Sequence, residues 1–185
     1  MSIDLDIFPT SPTKFEWNKL KSKLFELLTT EVRQNIGAIS LYELGSNRII
    51  PKEEILSISP PKNSKHYYLS LDVANTIGLS LSKNEPNYVD EFDYLDDYGR
   101  NLDAATIQTL AQKWQSLDMH YSVTTHAGRS KYEPSLFIAL AAAIAHLCQG
   151  YVIVMSDDFT LDIGVYTPAE FKKATMKSSI QRRWK

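Results

Sequence analysis

A run of thirteen residues at positions 135–147 (SLFIALAAAIAHL) constrains the fold of this 185-residue chain more than any other feature. It is apolar nearly all round, and a helix of that kind must be buried on several sides. Its alanines allow a sheet or another helix to approach closely. The run is also too short to span a bilayer. We therefore predict a central helix that is enclosed by the rest of a folded domain.

Sequence patterns that are typical of strands occur both before and after this predicted helix in the chain. Residues 3–7 alternate apolar and polar side chains, which is typical of a half-buried strand, and Pro9 ends the pattern. Gly150 stands where a left-handed residue would end the central helix. The last two strands are expected to form a hairpin through Asp157 and Asp158. The predicted strands are residues 3–7, 38–44, 66–71, 119–125, 151–155 and 161–166.

Three other helices are predicted from residues that favour helix starts. One follows Thr13 and one follows Asp103, each of which can cap a helix with its side-chain oxygen. The third begins with Thr167 as the cap, Pro168 at the first helical position and Glu170 at the third. We expect these helices to pack on the strands through apolar stripes.

Together these elements predict a single α+β domain, with helices on one face of a mostly antiparallel or mixed sheet. The length supports one domain, because two ordinary domains need more residues. A hydrophobic fraction of 43% with 23% charged residues is that of a folded chain and excludes a disordered one. We assign the domain to residues 1–176 and expect the basic tail at residues 177–185 to fray.

Cysteine and histidine usage excludes several kinds of site. The single cysteine, Cys148, has no partner for an internal disulfide and cannot build a thiolate site. The histidines match no metal-binding spacing such as H-E-x-x-H, so neither a metal nor a cofactor is predicted. The first residues carry acids where a secretory signal carries bases, and we therefore expect a cytoplasmic protein. The four histidines are His66, His120, His126 and His146.

An acidic stretch at residues 87–98 (NYVDEFDYLDDY) is the main candidate for a partner-binding surface. It holds five carboxylates and no base, while the whole chain has a formal net charge of −2, which predicts no nucleic-acid partner. Its residues do not fit the ligand spacing of a calcium loop. Tyrosines among acids suit a basic protein partner, and the alternative is a solvated loop whose aromatic rings pack into the core. The predicted contact residues are Asp90, Glu91, Asp93, Tyr94, Asp96, Asp97 and Tyr98.

The segment at residues 126–134 (HAGRSKYEP) has two interpretations. As a helix entrance, Ser130 and Glu133 form a capping box with Pro134 at the fourth helical position, or the helix starts at Pro134 with Glu133 as an unusual cap. As a pocket, the free N–H groups of the helix start would hold a phosphate or carboxylate beside Arg129. A catalytic variant has His126 as the base for Ser130. The residues of the predicted anion pocket are His126, Gly128, Arg129, Ser130 and Glu133.

Residues 125–171 resemble a known group of proteins. They contain the pattern T-H-A-G-R-S-x-Y-E-P, an alanine-rich helix, a glycine, an apolar strand and Y-T-P-A-E-F. This order is similar to the C-terminal half of small bacterial proteins, some of which resemble immunity proteins of polymorphic toxins from contact-dependent or type VI secretion systems. The resemblance implies an α+β fold and a cytoplasmic protein that neutralises a cognate toxin by binding it. Many such toxins are basic nucleases, so the resemblance directs attention to the acidic stretch.

Two functional hypotheses follow. The first is a protein-binding protein rather than an enzyme, specifically an immunity protein that contacts its toxin through the acidic stretch. The alternative is a small hydrolase, or a protein that binds an anion or phosphate ligand through residues 126–133. The sequence predicts no membrane contact, and its exposed aromatic residues and apolar helix are compatible with a homodimer.

Overall fold

The computed structural model describes residues 3–10, 14–57, 64–71, 74–83, 104–115, 117, 119–125, 131–155 and 161–177. Their strands are β1 (Ile3–Phe8), β2 (Phe15–Glu16), β3 (Ile39–Glu43), β4 (Ile55–Leu56), β5 (Ser64–Leu71), β6 (Ala74–Lys83), β7 (Met119–Thr125), β8 (Tyr151–Val154) and β9 (Gly164–Tyr166). Their helices are α1 (Trp17–Leu27), α2 (Thr30–Asn35), α3 (Ala104–Gln115), α4 (Glu133–Leu147) and α5 (Pro168–Lys177).

A seven-stranded sheet organises these elements in the order β3-β5-β6-β7-β1-β8-β9. Each pair of neighbouring strands in this sheet is antiparallel. The N-terminal strand β1 lies inside the sheet between β7 and β8, so strands that are distant in sequence are neighbours. β2 and β4 form a separate two-stranded sheet. The predicted α+β class with an antiparallel sheet is confirmed.

One face of the large sheet is covered by α1, α4 and α5. Strand residues that point to this face are apolar and fully buried, such as Leu5 in β1 and Leu79 in β6. The central helix α4 contacts the sheet, α1 and α5. Its Phe137 and Leu140 are 0% exposed, and burying such a side chain stabilises the fold by roughly 1.5–3 kcal/mol. The prediction of an enclosed central helix is confirmed.

Helix α3 packs on the opposite face of the sheet. Its Trp114 ring lies 4.5 Å from that of Phe8, measured between centroids. Both rings join a small buried cluster with Ile153 and Val165, which are residues of β8 and β9. The prediction that the helices occupy one face is wrong for α3, because Phe8, Ile153 and Val165 make this part of the second face apolar. No helix in the described part of the chain is both long and apolar enough to cross a membrane.

The start of α1 also differs from the prediction. The helix begins at Trp17, and Glu16 occupies the cap position without a side-chain capping bond. Thr13 is therefore not its cap. Phe15 and Glu16 instead pair with β4, and Phe15 is buried in the core. Tertiary contacts of Phe15 thus decide where the helix starts.

β6 is a ten-residue strand in the interior of the sheet that was not predicted from the sequence. Its buried residues Ile77, Leu79 and Leu81 alternate with residues that face the other side. Those alternate residues include Gly78 and Ser80. Because glycine is uncommon in strands, the composition of this segment conceals its alternation of apolar and polar side chains. The alternation itself was the signal that could have found this strand.

Helix α4 begins at Glu133, and neither predicted start is correct. Tyr132 is at the cap position without a side-chain capping bond. Pro134 is the second helical residue, where its missing N–H removes no helical hydrogen bond. The capping-box interpretation of Ser130 and Glu133 is therefore wrong, because Glu133 is the first helical residue rather than the third.

At the other end of α4, Gln149 rather than Gly150 has the left-handed conformation, with φ of 49°. The Gly150 N–H donates to the Ala145 carbonyl at 2.8 Å, and the Gln149 N–H donates to the His146 carbonyl at 3.3 Å. These two bonds are those of a Schellman motif. Gly150 is required for a different reason, since a Cβ atom there would clash with the backbone carbonyl of Phe8.

The predicted start of α5 is confirmed. The Thr167 hydroxyl oxygen accepts a hydrogen bond from the Glu170 N–H at 3.2 Å, and the Glu170 carboxylate accepts one from the Thr167 N–H at 2.9 Å. This reciprocal pair is a capping box, with Pro168 at the first helical position. β8 and β9 form the predicted antiparallel pair. Asp103, Asp157, Asp158 and residues 178–185 lie outside the described residues.

Candidate functional site

The predicted contact residues of the acidic stretch, Asp90, Glu91, Asp93, Tyr94, Asp96, Asp97 and Tyr98, all lie outside the described residues. The stretch belongs to the connection between β6, which ends at Lys83, and α3, which begins at Ala104. β6 is an interior strand of the sheet, and α3 packs on the second face of that sheet. The two elements that hold the acidic stretch therefore both border the second face.

Glu133 is the described member of the predicted anion pocket. It is 1% exposed, and its carboxylate accepts a hydrogen bond of 2.5 Å from the Thr125 hydroxyl at the end of β7. This bond ties the first turn of α4 to the sheet, and a negative charge at a helix N-terminus is also favourable. A structural role therefore accounts for Glu133 without a ligand. The other pocket residues lie outside the described part of the chain: His126, Gly128, Arg129 and Ser130.

A surface that the sequence patterns do not predict lies on the second face of the sheet, beside α3. Directly paired residues of neighbouring strands point to the same face, so the strand register shows which side chains are neighbours. We call this surface the open face, because the buried cluster beneath α3 does not extend to it. Its first row is Ile49, Tyr42, Tyr68, Gly78, Thr124 and Asp4, and its second row is His66, Ser80, Ser122 and Asp6.

One end of the open face is aromatic and apolar. The rings of Tyr42 and Tyr68 stack with centroids 5.1 Å apart and an interplanar angle of 7°. The Tyr68 hydroxyl donates to the Asn47 side chain at 3.1 Å, in the turn after β3. Ile49 pairs with Tyr42 and is 59% exposed, while Leu44 in the same turn is 62% exposed. Exposed aliphatic residues beside two tyrosines form the kind of patch that is typical of protein interfaces.

The middle of the open face consists of short, polar side chains. Gly78, Ser80 and Ser122 are half-buried and lie side by side on β6 and β7. His66 is exposed, and its ring nitrogens lie 2.9 Å from the Ser80 hydroxyl and 3.1 Å from the Ser64 hydroxyl. These side chains, apart from the His66 ring, are shorter than tyrosine.

The other end of the open face is acidic. Asp4 is exposed and Asp6 is half-buried, and both belong to β1. His120 lies near Asp6 and is buried with its ring centroid 4.9 Å from that of Trp114. Burial lowers the pKa of His120, and the negative charge of Asp6 opposes this effect. His120 is therefore neutral at pH 7.

The open face offers apolar contact, hydroxyl hydrogen bonds and negative charge. Within the described residues, no group of three or more His, Cys, Asp or Glu side chains is arranged to hold a metal ion. Cys148 is buried on the other side of the sheet, and burial raises the pKa of its thiol to about 12, so the thiol stays protonated.

Comparison of the chain with protein-family models, with curated proteins and with solved structures found no match.

Proposed function

We propose that this protein binds a cognate, basic protein toxin and neutralises it by direct contact, as an immunity protein does. The observation that carries the proposal is the acidic stretch at residues 87–98, which has five carboxylates and three tyrosines but no base. Such a composition combines aromatic anchors with charge of one sign, and both are features of surfaces that recognise basic proteins.

Electrostatics explains why a basic partner fits this stretch. Carboxylates crowded into twelve residues repel one another, and a lysine-rich or arginine-rich surface relieves that repulsion. The same charges also speed association, because they steer a basic partner toward the surface. A complex of this kind weakens as salt is added.

The described residues include two further acids on the second face of the sheet. β6 and α3 hold the two ends of the connection, and both border the open face. That face carries Asp4 and Asp6 on β1, which have the same sign of charge as the five carboxylates of the stretch.

The first experiment is capture of partners from native cell lysate by the tagged protein, with identification by mass spectrometry. We expect one near-stoichiometric basic protein at low salt. Its release should follow as the ionic strength rises from about 0.01 M to 0.1 M, because the screening length then falls from about 30 Å to about 10 Å. If no basic protein is retained at either salt, the proposal is wrong, and phosphorylated and carboxylated ligands should be screened against an Arg129→Ala variant.

A pair of charge variants tests the acidic stretch itself. The test variant combines Asp90→Asn, Asp93→Asn, Asp96→Asn and Asp97→Asn. The matched control removes the same charge at exposed positions elsewhere, with Glu26→Gln, Glu31→Gln, Glu53→Gln and Asp162→Asn. We expect the test variant to lose toxin binding and protection of cells, and the control to keep both. Equal binding and protection by the two variants would show that the stretch is not the contact surface.

A further inference from the structure

We propose that His66 and the two serines that contact its ring form a nucleophilic site, which accepts an acyl group from an ester. This inference goes beyond the proposed function, because it assigns a covalent reaction to the open face. Two contacts of one ring carry it. His66 Nδ1 lies 2.9 Å from the Ser80 hydroxyl oxygen, and His66 Nε2 lies 3.1 Å from the Ser64 hydroxyl oxygen.

The sheet holds these three side chains together. Ser64 and His66 are two residues apart on β5, so their side chains point to the same face. Ser80 on β6 is the direct partner of His66, and paired residues have Cβ atoms about 5 Å apart. Both strands have a neighbour on each side in the sheet. Interior strands position side chains more firmly than loops do, so the contacts belong to the rigid part of the fold.

The two hydrogen bonds place a base on a serine hydroxyl in either tautomer of the ring. A neutral imidazole has one N–H donor and one bare nitrogen that accepts. With a hydroxyl at each nitrogen, one serine accepts from the N–H and the other donates its proton to the bare nitrogen. The donating serine is an activated nucleophile, and the accepting serine orients the ring. The site thus has a nucleophile, a base and a group that orients the base.

The reaction that these groups support is acyl transfer. The serine oxygen forms a bond to the ester carbonyl carbon, and the hydroxyl proton passes to the bare nitrogen of His66. The resulting tetrahedral intermediate then re-forms its carbonyl, which breaks the bond to the leaving oxygen. The imidazolium returns the proton to that oxygen. The products are an acyl-serine and an alcohol, and His66 is neutral again.

The same sheet limits the rate of this reaction. Fast hydrolases stabilise the intermediate with free N–H groups that form an oxyanion hole. The N–H groups of interior strands instead bond to neighbouring strands, as those of β5 and β6 do. Hydrolysis of the acyl-serine needs a second oxyanion, so it should be slow. We therefore expect one acyl group to accumulate on each molecule rather than rapid turnover.

The surroundings of the site favour an aryl ester. His66 is exposed, and Ser64 and Ser80 are half-buried, so an ester can approach from solvent. Tyr68 is two residues beyond His66 on the same face of β5, at a distance of about 7 Å along the strand. Its ring stacks on that of Tyr42. An aromatic group that packs on these rings would have its ester bond beside the serines.

The test measures acetylation of the purified protein by 4-nitrophenyl acetate. Release of nitrophenolate gives the rate, and peptide mapping by mass spectrometry identifies the acetylated serine. We expect one acetyl group on Ser64 or Ser80, and none on Ser22, an exposed serine of α1. Cys148 is buried and does not compete for the reagent. Equal acetylation of Ser22 and the site, or none on Ser64 and Ser80, would overturn the proposal.

Variants of His66 test its role as the base. His66→Gln should slow acetylation of the serine by about a hundredfold, which is the low end of what a general base contributes. His146→Gln changes an exposed histidine of α4 and should leave the rate unchanged. Free imidazole should restore part of the rate to His66→Gly, which a purely structural role would not allow. A full rate in His66→Gln would show that neither serine is activated.

Variants of the serines identify the nucleophile. Of Ser64→Ala and Ser80→Ala, one should abolish acetylation of the site, and the other should only slow it because the ring loses its orienting partner. If Ser80→Ala is unstable in this interior strand, Ser64→Ala at the first residue of β5 still gives one of these two results. An unchanged rate in Ser64→Ala together with unchanged ring orientation, measured as the His66 chemical shifts, would refute the site. These measurements use the free protein, so they succeed or fail independently of toxin binding.

Discussion

The two faces of the seven-stranded sheet are made by the same strands, yet one face carries mainly buried apolar side chains and the other carries mainly polar ones. In β6, Leu79 and Leu81 point toward α4 and its neighbours and are fully buried. The intervening Gly78 and Ser80 are half-buried on the open face. The first face holds the core, and the buried apolar cluster of the second face lies beneath α3.

Because of this difference, the residues of one strand that stabilise the fold are distinct from those that are available for binding. Because successive side chains point to opposite faces, one strand can supply core contacts and surface contacts without conflict. Changes on the covered face should therefore alter the free energy of unfolding, whereas changes on the open face should leave it nearly unchanged.

The largest effect is expected for one substitution placed in two environments. Leu140→Ala in α4 removes a side chain that is 0% exposed, and should lower the free energy of unfolding by about 2–5 kcal/mol. Leu44→Ala removes one that is 62% exposed, and should change it by less than about 0.5 kcal/mol. Urea denaturation of the two variants checks both values. Similar losses in both would contradict the separation of the two regions.

Two glycines give the second comparison. Gly150→Ala places a methyl group against the backbone of Phe8 and should destabilise the protein by about 1–3 kcal/mol. Gly78→Ala places its Cβ 3.6 Å from the Thr124 Cβ, an ordinary contact, and should be neutral or stabilise by up to about 1 kcal/mol. Thermal melting distinguishes the two. A clear loss of stability for Gly78→Ala would mean that the open face is more tightly packed than the structure indicates.

The third prediction concerns the buried carboxylate of the covered face. Glu133→Ala leaves the Thr125 hydroxyl without its acceptor and should cost about 1–3 kcal/mol. The control Glu31→Ala removes an exposed partner of Lys131 and should have no measurable effect on stability. Denaturant titration measures both. If Glu133→Ala kept full stability but lost binding of a phosphate or carboxylate ligand, the pocket interpretation would replace the structural one.

The smallest effect is a dependence of stability on pH that arises from His120. Burial lowers the pKa of this histidine in the folded protein, so the unfolded chain binds its proton more readily. Stability is then fully present above the unfolded pKa of about 6.5 and decreases as the pH falls below it. The melting temperature should fall between pH 7.5 and 5, and it should fall less in His120→Gln. Equal slopes in the two proteins would exclude His120 as the cause.

Local patterns in the sequence predicted much of the fold. The alternation at residues 3–7 corresponds to β1, and the apolar run at 135–147 corresponds to α4. The Thr167 cap was predicted to the residue, because a capping box involves only neighbours along the chain. β6 was missed since Gly78 and two serines weaken its strand composition. The start of α1 was missed because Phe15 packs in the core, which no local rule describes.

The candidate site was predicted less well than the fold. The acidic stretch stays a prediction from composition, since a cluster of like charges is visible without a structure. The capping-box spacing of Ser130 and Glu133 was misleading, because the same residue types occur in a helix that begins at Glu133. The open face could not be found at all, because Ile49, Tyr68 and Asp4 are far apart in sequence and each is unremarkable by itself.

Patterns along the chain establish the α+β class, the enclosed central helix and the sign of the charge at residues 87–98. These properties depend on the spacing and composition of residues that are close along the chain. Tertiary pairing sets the strand order and the register that aligns Tyr42, Tyr68, Gly78, Thr124 and Asp4 in one row. Register is set by pairing between distant strands, and a shift of one residue would turn every one of these side chains toward the core.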